Sequence, residues 1–154
     1  MHNDKKEIFM QAALKQAKKA LEKGEVPIGA VIVDVQGKII AQAYNKVEID
    51  KTQTSHAEAL AIKKVCKKIG DWRLNGCWMY VTLEPCLMCF GLIQLSRMAG
   101  IIYGAKSTLF GCSLSDVQKL PTYAKNMVVQ GGVKELESLD LLKKFFGKLR
   151  RPSK

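Results

Sequence analysis

Histidine is scarce in this sequence, with two among 154 residues; tryptophan also occurs only twice and proline four times. Acidic residues are in deficit, 14 against 25 lysines and arginines, which gives a formal net charge of +11. That imbalance favours a polyanionic partner, through steering and counterion release, and it also serves solubility. No apolar stretch follows the charged start M-H-N-D-K-K-E, so nothing there reads as a secretory signal. The longest apolar runs, around G-A-V-I-V and M-A-G-I-I-Y-G-A, are too short to span a bilayer, and a cytoplasmic protein without membrane attachment is expected. Repeats, low-complexity tracts and Pro/Gly/Ser linkers are missing too, which points to a single domain over residues 1–154. Cysteines number five, an odd count. In a reducing compartment this suits metal binding or burial better than a disulfide framework.

What is present is enough for one core: 47% of the residues are hydrophobic, and a chain of this size buries roughly 70% of its unfolded surface. Over residues 4–23, Ile8, Phe9, Ala12, Ala13, Ala17, Ala20 and Leu21 recur at helical spacing until Gly24 ends the pattern. I-G-A-V-I-V-D-V, Q-G and K-I-I-A-Q-A-Y read as a hairpin. Residues 56–69 predict a second helix, with Leu60, Ile62, Val65 and Ile69 apolar and Lys63, Lys64, Lys67 and Lys68 on a face open to solvent or to RNA. A strand over 77–83 leads into Pro85, which is expected at the first position of a helix. That helix, C-L-M-C-F-G-L-I-Q-L, is apolar on almost every side and is therefore expected to be buried. Short strands at G-I-I-Y-G and 126–130 precede a last helix over 134–150, with Leu136, Leu139, Leu142, Phe145, Phe146 and Leu149 at helical spacing. Alternating strands and helices imply two or three α/β layers around one mixed sheet.

The chemistry concentrates in T-S-H-A-E-A-L and P-C-L-M-C. Cys86 and Cys89 stand three apart, so a helix presents both thiols on one side, and its N-terminal dipole favours thiolates. C-x-x-C alone is weak, and a thiol–disulfide role is a competing reading. Cys66, Cys77 and Cys112 form no second C-x-x-C and are expected to pack as small apolar residues. His56 opens another helix behind the candidate cap Ser55, and two facing helix starts can share one metal. Three protein ligands leave zinc a position for water, the catalytic arrangement. Glu58, two residues on, reaches that position without being a ligand and can move protons. The plainer alternatives are a dipole-stabilised acid for Glu58 and a surface role for His56; neither explains the Pro-Cys-x-x-Cys helix start. H-x-E followed by P-C-x-x-C also matches the signature of the zinc nucleobase deaminases.

Across nearly its whole length the chain resembles the bacterial tRNA-specific adenosine deaminases: E-V-P-I-G-A-V-I-V, Y-N, H-A-E-A-L-A-I, W-R-L-N, Y-V-T-L-E-P-C-L-M-C, S-R, Y-G-A and L-L-K-K-F-F-G-K-L-R-R-P carry the likeness. The resemblance implies a three-layer α/β/α cytidine-deaminase-like fold around a mixed five-stranded sheet, in a homodimer. It implies one Zn²⁺ per subunit on His56, Cys86 and Cys89, proton transfer by Glu58, and conversion of adenosine to inosine at the wobble position of an arginine tRNA. Asn45, the Ala57 N–H and Ile28 would hold the base. The unpaired anticodon loop makes extruding that base inexpensive. Lys106, Ser107, Lys143, Lys144, Lys148, Arg150 and Arg151 are candidate RNA contacts. Where the family commonly has aspartate, this chain has Ser107, so an acidic contact near the target is missing. Two other functions compete: a deaminase of a free base or nucleoside of the guanine or cytosine type, which gives no reason for the basic C-terminal run, and a non-catalytic zinc-stabilised RNA-binding partner subunit, which has no need of Glu58.

Overall fold

The computed structural model describes residues 3–109, 111 and 126–150. Helix α1 (Asn3–Glu22) leads into a hairpin of β1 (Gly29–Val33) and β2 (Ile39–Tyr44), then a short helix α2 (Val47–Asp50) and a 3-10 turn (Gln53–Ser55). Helix α3 (Ala57–Ile69), strand β3 (Trp78–Leu83), helix α4 (Leu87–Leu95) and strand β4 (Gly100–Ala105) follow, and β5 (Val128–Gln130) and α5 (Glu135–Leu149) close the order. The five strands form one mixed sheet in the order β2-β1-β3-β4-β5. β1 is antiparallel to both β2 and β3, whereas β3, β4 and β5 run parallel.

Strand periodicity sends alternate residues to opposite faces and so makes two cores. Ile32, Met79 and Ile101 lie side by side in register and pack with Ala61, Ile62 and Val65 of α3 and Phe90 and Ile93 of α4. One residue along, Val31, Tyr80 and Ile102 face the other way, onto Phe9, Met10, Leu14 and Ala17 of α1 and Leu141 of α5. This is the three-layer arrangement that the resemblance implied. α1 reaches β1 closely because Gly29 has no side chain: a Cβ there would lie 2.0 Å from the Ala13 carbonyl oxygen and 2.5 Å from the Ala17 nitrogen. Helix α5 likewise sits tight on β4, where a Cβ on Gly104 would come within 2.2 Å of Ser138 Oγ.

Several expectations are corrected here. Pro85 precedes α4 instead of opening it; Cys86 takes the N-cap position and Leu87 is the first helical residue. Ser55 does not cap α3, because His56 occupies the cap and Ser55 Oγ donates to Asp50 Oδ2. Helix α4 is buried on one side only: Cys89, Phe90 and Ile93 are inside, while Leu87, Met88 and Leu95 are 59%, 43% and 55% exposed. Its uniformly apolar composition hid that asymmetry, since a helix with no polar face carries no mark of which side faces out. On α1, Ile8 points outward and Met10 and Leu14 take the inner face. On α5, Ser138 and Leu141 are buried, and Leu136, Phe146 and Leu149 are exposed. Among the described residues no helix is long and apolar enough to cross a membrane.

Candidate active site

The functional residues gather beyond the carboxyl ends of the parallel strands β3 and β4, where open α/β sheets present their ligand sites. His56 and Cys86 occupy equivalent places, each the extended N-cap residue of its helix, with φ −63°, ψ 149° and φ −70°, ψ 169°. Neither side chain caps its own helix. Both are therefore free to face each other, and Cys89 joins them from the first turn of α4. His56 Nδ1 lies 3.6 Å from Cys86 Sγ and 3.5 Å from Cys89 Sγ, and the three donor atoms all fall within 4.8 Å of one another. His56 Nε2 faces Gln53 Oε1 at 3.1 Å. An acceptor there places the imidazole proton on Nε2 and leaves the Nδ1 lone pair for a metal, the usual way an outer partner orients a histidine ligand.

Charge in the cluster is arranged for a cation. A hydrogen bond with Cys89 and another with His56 hold the Cys86 thiol far down, at about 4. Its partner Cys89 is driven the opposite way, by that same hydrogen bond and by burial. The hydrogen bond to Cys86 raises His56 against the opposing effect of burial. Two sulfurs sharing one proton beside an imidazole form a soft donor set, and its size and chemistry fit Zn²⁺. Glu58 stands in the first turn of α3, 4% exposed, and burial pushes its carboxyl up to about 7. The Cys89 thiol hydrogen-bonds to it.

Asn45 is buried just past the end of β2. Its backbone N–H donates to the Ile28 carbonyl at 2.9 Å, which brings these two sequence-predicted residues together. Asn45 Nδ2 donates to the Val26 carbonyl at 3.3 Å, and Oδ1 has no partner among the described residues. Ala57, fully buried, is the first residue of α3, where a backbone N–H has no acceptor within the helix. Lys106 is exposed and Ser107 half-buried in the loop after β4, with the Ser107 N–H donating to Glu84 Oε2 at 3.0 Å. Lys143, Lys144, Lys148 and Arg150 are exposed on and just after α5, away from the cluster in sequence, and Arg151 lies outside the described residues. Cys66 is half-buried against the α3 core and Cys77 is buried, as expected of packing residues; Cys112 lies outside the described residues.

Three supporting residues escaped the sequence reading: Gln53, Glu25 and Glu84. Glu25 is fully buried, and its carboxylate accepts the Ile49 N–H at 2.6 Å and the Glu48 N–H at 3.1 Å, capping α2 from another part of the chain. The lone signal for Glu25 and Glu84 was an acid embedded in an apolar motif, in E-V-P-I-G and in T-L-E-P-C.

Residues 3–105 match the cytidine and deoxycytidylate deaminase zinc-binding region. The tRNA-specific adenosine deaminase of Bacillus subtilis (strain 168) is 45% identical over 150 residues, covering 96% of this chain and 92% of that one. That of Aquifex aeolicus (strain VF5) is also 45% identical, over 94% of this chain and 96% of the other. A solved structure from work on A-to-I editing by tRNA:A34 deaminases at the wobble position of transfer RNA superposes with a TM-score of 0.82 at 38% identity, covering 88% of this chain and 99% of that one. With the His-Cys-Cys cluster, the buried glutamate and these likenesses in place, the chain belongs to the cytidine and deoxycytidylate deaminase family, on its tRNA-specific adenosine deaminase branch.

Proposed function

We propose that this protein hydrolyses the amino group from the wobble adenosine of a tRNA anticodon, consuming water, releasing ammonia and leaving inosine. The observation that carries this reading is the convergence of His56, Cys86 and Cys89 beside the buried Glu58. His56 Nδ1 and the two sulfurs are the atoms that would hold zinc. Bound there, zinc supplies Lewis acidity that makes water a nucleophile near neutral pH. Glu58 moves the protons: its carboxylate takes one from the attacking water and the resulting acid delivers it to the departing amino nitrogen.

Asn45 Oδ1 is the acceptor offered to the base, since its Nδ2 is committed to Val26 and Oδ1 is otherwise unpartnered. The Ala57 N–H, at the positive end of α3, donates to the base, and Ile28 forms the apolar wall against its ring. Lys106 and Ser107 meet the flanking nucleotides, and Lys143, Lys144, Lys148, Arg150 and Arg151 meet phosphates. An arginine tRNA is the expected substrate. The exposed Leu87, Met88 and Leu95 of α4, with Gly91 leaving open space between them, are a face for the second copy in a homodimer. The enzyme acts as a single domain in the cytoplasm.

The test is to incubate the zinc-loaded protein with total tRNA and sequence for adenosine-to-inosine changes. Conversion at the wobble position of an arginine tRNA is expected. Rapid turnover of free guanine or cytosine with the anticodon stem-loop untouched would instead identify a free-base deaminase. RNA binding without any turnover would identify a partner subunit.

A further inference from the structure

We infer that Glu84 is a positioning residue whose buried carboxylate clamps the loop bearing Lys106 and Ser107 onto the cysteine turn and thereby sets affinity for RNA; this rests on the proposed RNA substrate. Glu84 lies between the last residue of β3 and Pro85-Cys86, and it is 4% exposed. Burying a carboxylate is costly unless hydrogen bonds hold it. Its Oε2 accepts the Ser107 N–H at 3.0 Å, a charge-assisted bond to the loop.

Two further contacts close the clamp. The Glu84 N–H donates to the Ala105 carbonyl at 2.8 Å, and Cys86 pairs with Gly111 in an isolated antiparallel bridge. The loop therefore leaves β4 beside Glu84, turns through Lys106 and Ser107, and returns to a zinc-binding residue. Gly111 packs directly on the carboxylate: a Cβ there would fall 2.6 Å from Glu84 Oε2 and 2.4 Å from the Ser107 carbonyl oxygen. Only a residue without a side chain lets the backbone at Gly111 approach that far. Because Ser107 brings no charge of its own, the loop's grip on RNA depends on where its backbone and Lys106 are held. The acid beneath it holds them.

Glu84→Gln keeps an acceptor oxygen for Ser107, Glu84→Ala removes it, and Gly111→Ala breaks the same contact from the loop side with Glu84 intact. Each variant is measured for Kd with a fluorescent anticodon stem-loop, for kcat and KM on that RNA, and for zinc by elemental analysis. Glu84→Ala and Gly111→Ala should each weaken stem-loop binding and raise KM about tenfold, the scale of one charge-assisted hydrogen bond. Zinc should stay at one per chain, kcat should hold, and Glu84→Gln, which keeps the acceptor without its charge, should bind more tightly than Glu84→Ala and closer to wild type. Wild-type Kd in both disruptive variants would overturn the inference. So would loss of zinc and kcat at unchanged Kd, which would put the role of Glu84 in the cysteine turn alone. Binding reads the clamp whether or not the wild-type protein deaminates the stem-loop, so a failure of the proposed reaction shows separately, in the wild-type turnover.

Discussion

At the scale of single residues, the proposed mechanism divides labour between atoms that would hold metal and one that would move protons, and the division is measurable. Glu58→Gln keeps the shape of a buried side chain and leaves His56, Cys86 and Cys89 untouched. It should retain one zinc per chain by elemental analysis while kcat falls at least about a thousandfold, the upper range for lost general acid–base catalysis. His56→Ala takes away one of three donors and should lose zinc outright on dialysis, together with activity. Undiminished turnover in Glu58→Gln would remove the mechanism. The His56, Cys86 and Cys89 cluster was legible in the sequence because the H-x-E and P-C-x-x-C motifs, each weak alone, together match one signature, which also singles out Glu58. Gln53 was not, because its bond to His56 Nε2 depends on the 3-10 turn that folds it back, and a lone glutamine in T-Q-T-S carries no mark of that turn.

Elements position the site through their ends. Helix α2 is only four residues long and its cap residue, Lys46, makes no side-chain capping bond; Glu25 supplies the acceptors that a serine or aspartate would normally bring. Lys46 N–H to the Ser55 carbonyl and Ser55 Oγ to Asp50 Oδ2 then tie α2 to the residue just before His56. Glu25→Ala would remove the acceptor of the Glu48 and Ile49 N–H groups at the start of α2, at a cap-scale cost of about 1–2 kcal/mol. Thermal unfolding should report it, with Glu25→Gln recovering part of the loss. Gly29→Ala tests the other side of the sheet. A methyl 2.0 Å from the Ala13 carbonyl meets backbone, which cannot rotate away, so α1 itself must shift. Roughly 3 kcal/mol of overpacking is expected, and a fall in Tm of about 10 °C measured by calorimetry. The longer helices and the five strands followed in type and order from periodicity, with the last strand shorter than expected; α2 and the 3-10 turn, too short to show a period, did not. Orientation did not follow where the pattern was uniform, as in α4, or where a small polar residue such as Ser138 of α5 takes the inside because close approach to Gly104 leaves no room for a larger one.

For the molecule as a whole, the question is where a net charge of +11 meets RNA. Two exposed lysine sets compete: Lys63, Lys67 and Lys68 on α3, and Lys143, Lys144 and Lys148 on α5, and these helices cover opposite faces of the sheet. Within the second set the charges are not equivalent. Lys144 Nζ sits 2.9 Å from Asp140 Oδ2, so part of its field is already balanced, whereas among the described residues no carboxylate pairs with Lys143 or Lys148, and these two are the better phosphate partners. Each phosphate neutralised releases counterions and adds about 0.7 to the slope of log affinity against log salt for single-stranded nucleic acid. Replacing Lys143 and Lys148 together with alanine should therefore flatten that slope by about 1.4 and weaken stem-loop binding about tenfold at moderate salt, with kcat at saturating RNA unchanged. Alanine at Lys63, Lys67 and Lys68 should leave the slope near wild type. Fluorescence anisotropy over a salt series decides between the two faces: if the α3 variant loses the slope and the α5 variant keeps it, the RNA backbone crosses the other side of the sheet, and the C-terminal helix is a solvated face.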